Sequence, residues 1–503
     1  MQQDSPTSET PLALAPTPVS STTAAGAPAE IPVALPLLPR LPRDLRIGLP
    51  DMELTLGPTA GRTAIGALVV ATLAIVATAA AGPSILVPRS VQVFPGWESG
   101  PLHLFVPRLI ENPNTLGLVF SAVLVTMLVA WAATLAAARS MTMRTIAIAV
   151  VVLHLILLMG PPLQLTDLFN YLGYGRLGGL HHLNPYSHGI KLETFDPVYR
   201  FTSWRNLRSP YGPLFTALTY PLAHTSLAFA YWTTKVVTVA LSLGFVFLVY
   251  RCAIRLGRDP RFVVAFVALN PIFLVYEVAG FHNDFFMLVP TMGAITLILA
   301  RRDRSAGAVL MLAVAVKFTA VLLLPFLLVA AARRPRQIRV LVGATLAAIP
   351  LAALSLALFG FTLPNLSQQS SLLTDFSIPN VVGVLIGVGG GTPLLLKIAI
   401  IAVVLVVAHQ FYRSRDWLAG AGWSTFALIA SLSWLVPWYV VWLLPLAALA
   451  SSVRLRWTAV VLTTYLLLAF MPATPNFLSD HGINLLATPA GQASRSLQHK
   501  LAS

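Results

Sequence analysis

Cysteine is nearly absent: Cys252 is the only one in 503 residues, which excludes an internal disulfide and any multi-cysteine metal site. Charge is also sparse. Only 10% of residues are charged, against about 25% in ordinary soluble domains, while 56% are hydrophobic and the mean hydropathy is +0.78. A water-soluble globular fold is thereby excluded, and an all-α polytopic membrane protein is expected. Acidic residues are the rarer sign, 18 Asp and Glu against 33 Lys and Arg, for a net charge of +15. The basic residues fall in short clusters between apolar segments instead of along one polar face. They therefore read as topology determinants, and no nucleic-acid partner is expected. No Walker A loop, GxSxG elbow, HExxH helix or paired CxxC occurs in a suitable context, so the chemistries those motifs carry have no foothold.

What is present is a row of apolar segments interrupted once by a polar stretch, Leu165–Gly212. Crossing a bilayer takes roughly 20 helical residues. Spans are expected near 64–81, 116–138, 145–160, 227–250, 262–281, 285–300, 305–316, 318–332, 339–359, 393–412, 419–436, 438–450 and 457–471, about thirteen in all. The segment 1–45, rich in Pro and Ala, lacks a basic region running directly into an apolar core, and is expected as a disordered cytoplasmic tail. A membrane-embedded catalytic domain over 46–472, with an external loop at 161–226, and a polar C-terminal tail at 473–503 complete the expected organisation.

With strict alternation of spans, Arg40, Arg43, Arg46 and Arg62 before the first span and the clusters at Arg139/Arg144, Arg251/Arg255/Arg258/Arg261, Arg301/Arg302/Arg304, Arg333/Arg334/Arg336/Arg339, Arg413/Arg415 and Arg454/Arg456 all fall on one side. The positive-inside rule makes that side cytoplasmic. The agreement requires that "YGPLFTALTYPLA", Tyr211–Ala223, with two prolines, does not cross but lies as an interfacial or re-entrant helix. The candidate polar residues then collect on the extracytoplasmic face of the plasma (inner) membrane.

"LTDLFNYLGYGRLGGLHHLNPY" follows the third span. As a helix from Asp167 it places Asp167, Tyr171, Tyr174 and Gly178 on one face, a carboxylate beside an aromatic shelf suited to deprotonating a sugar hydroxyl while rings stack on the sugar. Helix capping by Asp167 is the alternative. "GFHNDFF" brings His282, Asn283 and Asp284 to a tight turn with Glu277 about one turn back inside a span. Ionisable groups there are costly and point to function, a capped turn and a paired Glu being the alternative. These types also suit a divalent cation, but their spacing is not diagnostic, and neither a metal site nor a cofactor is expected. Lys317 interrupts "GAVLMLAVAVKFTAVLLLPFLL" and is suited, with Arg176, Arg205 or Arg208, to neutralise a lipid-linked phosphate. Snorkelling is its alternative. "SWLVPWYVVWLLP" gathers Trp434, Trp438, Tyr439 and Trp442, either as an interfacial belt or as a sugar- or prenyl-binding groove.

Asp167 just after a span, the aromatic helix with "LNPY", the loop closing on "SPYGPL", "FHND" between later spans and "AVAVKFTAVLLLPFLL" together resemble the GT-C glycosyltransferases. The likeness is greatest to the actinobacterial polyprenol-phosphomannose-dependent α-1,6-mannosyltransferases of the MptA/MptB type, and runs from about Ala64 to Met471. The resemblance implies inverting transfer of mannose from a polyprenyl-phosphate-linked sugar donor to a lipid-anchored α-1,6-mannan acceptor. The first-loop acid, Asp167, acts as general base, and Tyr171, Tyr174, Arg176, Arg205, Arg208, Glu277, His282, Asn283, Asp284 and Lys317 are candidate substrate contacts. Many members carry a second acid beside the first; here the loop reads "TDLF", leaving Asp167 with Asp284 or Glu277 as its only helpers. A transferase for another polyprenyl-phosphate sugar such as arabinofuranose is the nearest rival. A lipid or polysaccharide transporter fits less well, because the polar residues cluster on one face and no repeated halves with broken helices are recognised.

Overall fold

The computed structural model describes residues 55–80, 95–102, 112–163, 167–364 and 366–503; the expected tail at 1–45 lies outside them. Among the described residues the structure is helical throughout, with no strand. Among the described residues each of the thirteen apolar segments contains helix. Six are long and apolar enough to cross a membrane on their own, and the bent pair Pro260–Ala268 and Ile272–Val278 makes a seventh if taken as one span. Met143–Leu158, Asp284–Leu299, Phe318–Ala331 and Pro437–Leu449 are shorter. At a rise of 1.5 Å per residue such helices fall short of a bilayer core of about 30 Å. Several are bounded by polar breaks, and those breaks build the site.

Local sequence explains where the helices begin. Asn112, Thr142, Ser226, Asp259, Thr392, Asp416 and Ser452 each accept a hydrogen bond from a backbone N–H two or three residues on, satisfying donors that a helix N-terminus leaves open. Outward faces stay apolar: Leu118, Val404 and Leu405 are more than half exposed, as suits a surface solvated by lipid. Pro393–Arg413 buries no residue at all. Inward faces close through small residues. A side chain at Gly307 would meet the Val340 carbonyl, and one at Gly343 the Arg304 carbonyl, so the helices Asp303–Val316 and Arg334–Phe359 approach backbone to backbone.

The Arg-rich turns share one end of the bundle. There Arg336 and Arg339 pair with Asp303, Arg258 donates to the Leu449 carbonyl, and Arg255 to that of Thr296. The other end carries the loop after Met143–Leu158. Tyr211–Ala223 forms the short helix Pro213–Thr219 and the turn Tyr220–His224, about three helical turns in all, too short to cross. It packs on the helix Asp167–Gly179, whose Gly178 leaves room for the phenol of Tyr220. Gly178→Val should push Tyr220 out and cost about 1–3 kcal/mol of stability by overpacking; an unchanged melting temperature in detergent would refute this account of the contact.

The segment 473–503, expected as a polar tail, is instead folded into the helices Ala473–Asp480 and Pro489–Ala502. Its polarity is used inward. Ser494 bonds both the N–H and the carbonyl of Leu373, and Asn206 donates from its backbone N–H to the Leu501 carbonyl and from its side chain to that of Lys500. Leu501, Leu207 and Leu372 form a small apolar cluster with Trp204 and Trp434, so the C-terminal helix pins two loops that border the site.

Candidate active site

Asp167 is the first residue of the helix Asp167–Gly179 and is buried, 8% exposed. One turn on, Asn170 accepts from the Ser203 N–H and donates to the Trp204 carbonyl, holding the next stretch of loop so that Trp204 hydrogen-bonds the Asp167 carboxylate. Burial pushes the Asp167 pKa up to about 7; Lys317 opposes the rise and Asp284 adds to it.

Opposite lies the "FHND" turn. Asn270 accepts from the N–H groups of Ile272 and Phe273, and with Pro271 it ends the helix Pro260–Ala268, bending the chain by 49° into the π-helix Ile272–Val278. The π-helix delivers Glu277, fully buried, with neither carboxylate oxygen hydrogen-bonded among the described residues. Phe281 follows at φ +51, and the chain turns to His282, Asn283 and Asp284. The Asn283 N–H donates to the Tyr171 hydroxyl. His282 stacks on Trp438 with ring centroids 3.9 Å apart, and its Nδ1 lies 3.6 Å from Asp167 Oδ2. Burial, then the charge of Lys317, pushes the His282 pKa down to about 3, so the ring is neutral.

Lys317 sits in the break between Asp303–Val316 and Phe318–Leu323. Its Nζ lies 2.7 Å from Asp284 Oδ1, which also accepts from Trp442 Nε1, and 4.9 Å from the centre of the Trp442 ring. Asp284 is 1% exposed and Lys317 18%, so the ammonium keeps a face open.

Asp167, Asn283, Asp284 and Lys317 border one cavity of about 310 Å³, which Glu277 and His282 do not line. Asp167, Tyr171, Asn283, Asp284 and Lys317 form its polar end; Leu396, Ile400, Leu428, Leu432 and Phe318 form its apolar end. Ile400 is 60% and Phe318 39% exposed, so the apolar end opens sideways between the helices. Trp434, Trp438, Tyr439 and Trp442 line the cavity between these ends, which an interfacial belt alone does not describe. Among the described residues no three His, Cys, Asp or Glu side chains converge to hold a metal ion.

The other sequence candidates lie elsewhere. Tyr174 donates to the Leu207 carbonyl and is buried in the framework, so it is no part of an open aromatic shelf. Arg176 is taken up by Asp196 at 2.8 Å and by the Ala223 carbonyl, and the Asp196 carboxyl is held below the usual range by its His181, Val198 and Arg176 hydrogen bonds despite burial. Arg205 lies over the Tyr199 ring, 4.5 Å to its centre, and Arg208 is exposed. None of the four borders the cavity; Tyr174 and Arg176 are drawn to partners distant in sequence. Sequence reasoning missed Trp204, Gln369, Ser370 and Ser433. It also missed Lys235, a fully buried lysine on the helix Leu227–Arg255 that donates to the Gly160 carbonyl and lies against the Phe281 ring. An isolated Lys in an apolar segment was its only signal.

An acid at the polar end, a cation beside it and an aliphatic opening suit group transfer to a hydroxyl from an amphipathic donor. Comparison with known proteins bears on the chemistry. Residues 64–333 match the family model for the alpha-(1->6)-mannopyranosyltransferase N-terminal domain, and 377–493 match that for the MptB C-terminal domain. The first region holds Asp167, His282, Asp284 and Lys317; the second holds Trp434, Trp438 and Trp442. The chain is similar to alpha-(1->6)-mannopyranosyltransferase A of Mycobacterium tuberculosis, 27% identical over 360 residues, which are 63% of this chain and 67% of that protein. It is also similar to the protein of the same name from Corynebacterium glutamicum, 25% identical over 177 residues, 34% of this chain and 35% of that one. No solved structure matches. With more than half of its length matched by the N-terminal model alone, the chain belongs to the alpha-(1->6)-mannopyranosyltransferase family and is a glycosyltransferase.

Proposed function

We propose that the protein transfers mannose, with inversion, from a polyprenyl-phosphate-mannose donor to an α-1,6-mannan acceptor of a cell-envelope lipoglycan, at the extracytoplasmic face of the cytoplasmic membrane. The observation that carries this reading is the single cavity with Asp167 and Lys317 at one end and an aliphatic opening at the other. Asp167 takes the proton of the acceptor hydroxyl as its oxygen bonds to the anomeric carbon. The bond from that carbon to the phosphate oxygen breaks, and the electron pair leaves on the polyprenyl phosphate, beside Lys317. A leaving group that is already a stable anion needs a cation more than an acid. Inversion of a β-linked mannosyl phosphate yields an α-mannoside.

Purified protein supplied with radiolabelled polyprenyl-phosphate-mannose and a mannan acceptor should form a product in which linkage analysis finds new α-1,6-mannose. Transfer only from another polyprenyl-linked sugar, or none, would overturn the reading. Orientation has its own check. Cys252 is buried and gives little background, so Lys191→Cys and Gln369→Cys should be labelled from outside by an impermeant thiol reagent, and Arg334→Cys at the opposite end should not. The reverse pattern would place the site in the cytoplasm.

A further inference from the structure

We propose that His282 is a positioning residue for the transfer: its Nδ1–H orients the Asp167 carboxylate and favours the ionised form that accepts the proton. The inference rests on Asp167 being the base.

Geometry carries it. The His282 ring is fully buried, and neither nitrogen has a hydrogen-bond partner among the described residues. Leaving buried polar atoms unsatisfied is costly, so such a group calls for a reason. The ring is fixed on three sides. Trp438 covers one face at 3.9 Å, Gly280 stands at the other nitrogen, where an added Cβ would come within 2.5 Å of Nε2, and Asp167 Oδ2 faces Nδ1 at 3.6 Å. Gly280 is thus the residue that makes room for the ring. A carboxylate only accepts hydrogen bonds. A lone pair on Nδ1 would repel it, so the tautomer that fits an ionised Asp167 carries its proton on Nδ1. The gap of 3.6 Å is longer than a hydrogen bond, as catalytic contacts often are before substrate binds. Closing it needs only a small shift of the Asp167 side chain.

Other groups face Asp167 as well: Tyr171 and Tyr174 on its own helix, Trp204 and Tyr211 from the loop, Asp284 beyond the turn, Lys317 from the break and Tyr439 from the Trp-rich segment. Lys317 already pairs with Asp284. Trp204 already gives the Asp167 carboxylate one neutral hydrogen bond, and His282 adds a second that stabilises the anion without neutralising it, so the carboxylate keeps its basicity toward the acceptor hydroxyl.

The test uses which nitrogen a replacement imitates. The Asn amide overlays Nδ1 and the Gln amide overlays Nε2, while Leu supplies volume without polarity. In the full-length protein, His282→Asn should keep kcat within about threefold of wild type. His282→Gln and His282→Leu should lower kcat about tenfold or more and move the acidic limb of the kcat/KM profile up by about one pH unit, with the donor KM little changed. If His282→Leu fails to insert, His282→Gln carries the comparison with His282→Asn alone. Equal kinetics and pH limbs for the Asn and Gln variants would reduce His282 to packing. Asp167→Asn, assayed alongside, separates the two readings: normal turnover there removes the base itself, whereas loss of turnover with indistinguishable His282 variants removes only the role of His282.

Discussion

Asp167→Asn should be produced, inserted and folded at wild-type levels yet lose transfer by about 10²–10⁴-fold, the usual contribution of a general base. The substitution keeps side-chain size and leaves an amide able to bond Trp204, while removing the only group at the head of the helix Asp167–Gly179 able to take a proton. Donor affinity should be largely retained, because Lys317, the phosphate contact proposed above, sits on another segment. The wild-type enzyme should gain kcat/KM as pH rises through about 7, since burial raises this carboxyl and only its ionised form is a base. Linkage runs the other way for the fold. A carboxyl whose pKa is raised on folding binds its proton more tightly in the native state, so its contribution to stability falls between the ordinary value near 3.9 and about 7. The variant should lose both dependences. Near-normal turnover would remove Asp167 as the base and move attention to Asp284 and Glu277.

Lys317→Ala should impair donor use more than any other single cation removed, but its effect has two parts that must be separated. Breaking a buried ion pair from one side costs about 3–5 kcal/mol, because the remaining charge is stranded; here Asp284, 1% exposed, would keep only Trp442. Some loss of stability is therefore expected whatever Lys317 does in catalysis. Lys317→Met combined with Asp284→Asn removes both charges at similar volume and should restore the melting temperature. Its donor KM should stay raised about 30-fold or more, equivalent to about 2 kcal/mol of lost contact to a charged partner. A double variant with wild-type donor KM would confine Lys317 to holding the fold. Arg176, Arg205 and Arg208 should contribute far less, since none of them borders the cavity.

The apolar segments were legible because hydropathy over a membrane-length window depends on neighbouring residues alone. Lys317 and the "FHND" turn stood out for the same reason, each being a polar interruption in an apolar run. The length and prolines of Tyr211–Ala223 pointed to a short helix, and a short helix with a following turn is what forms there. What the sequence concealed depends on partners far along the chain. Arg176 could be offered to a phosphate only while Asp196 was unseen, and Tyr174 to a sugar only while the Leu207 carbonyl was unseen. Helical periodicity puts residues on one face but does not say what covers that face. In the same way, the polar composition of 473–503 suggested a tail, yet Ser494 and the backbone at Lys500 and Leu501 spend that polarity on the loops around Trp204 and Leu373.

One wall of the cavity is lent by Pro393–Arg413, the helix with no buried residue, and through Ile400 that wall continues into the surface a bilayer would cover. A prenyl chain entering there exchanges one hydrocarbon surrounding for another. The gain of about 0.8 kcal/mol per CH₂ that accompanies leaving water is then already made by the membrane and adds nothing at the protein. Selectivity among donors must reside in the head group and the first few carbons. Chain length should set how much donor partitions into the membrane, so that KM expressed as a mole fraction of lipid stays constant across donors whose apparent KM in bulk concentration differs widely.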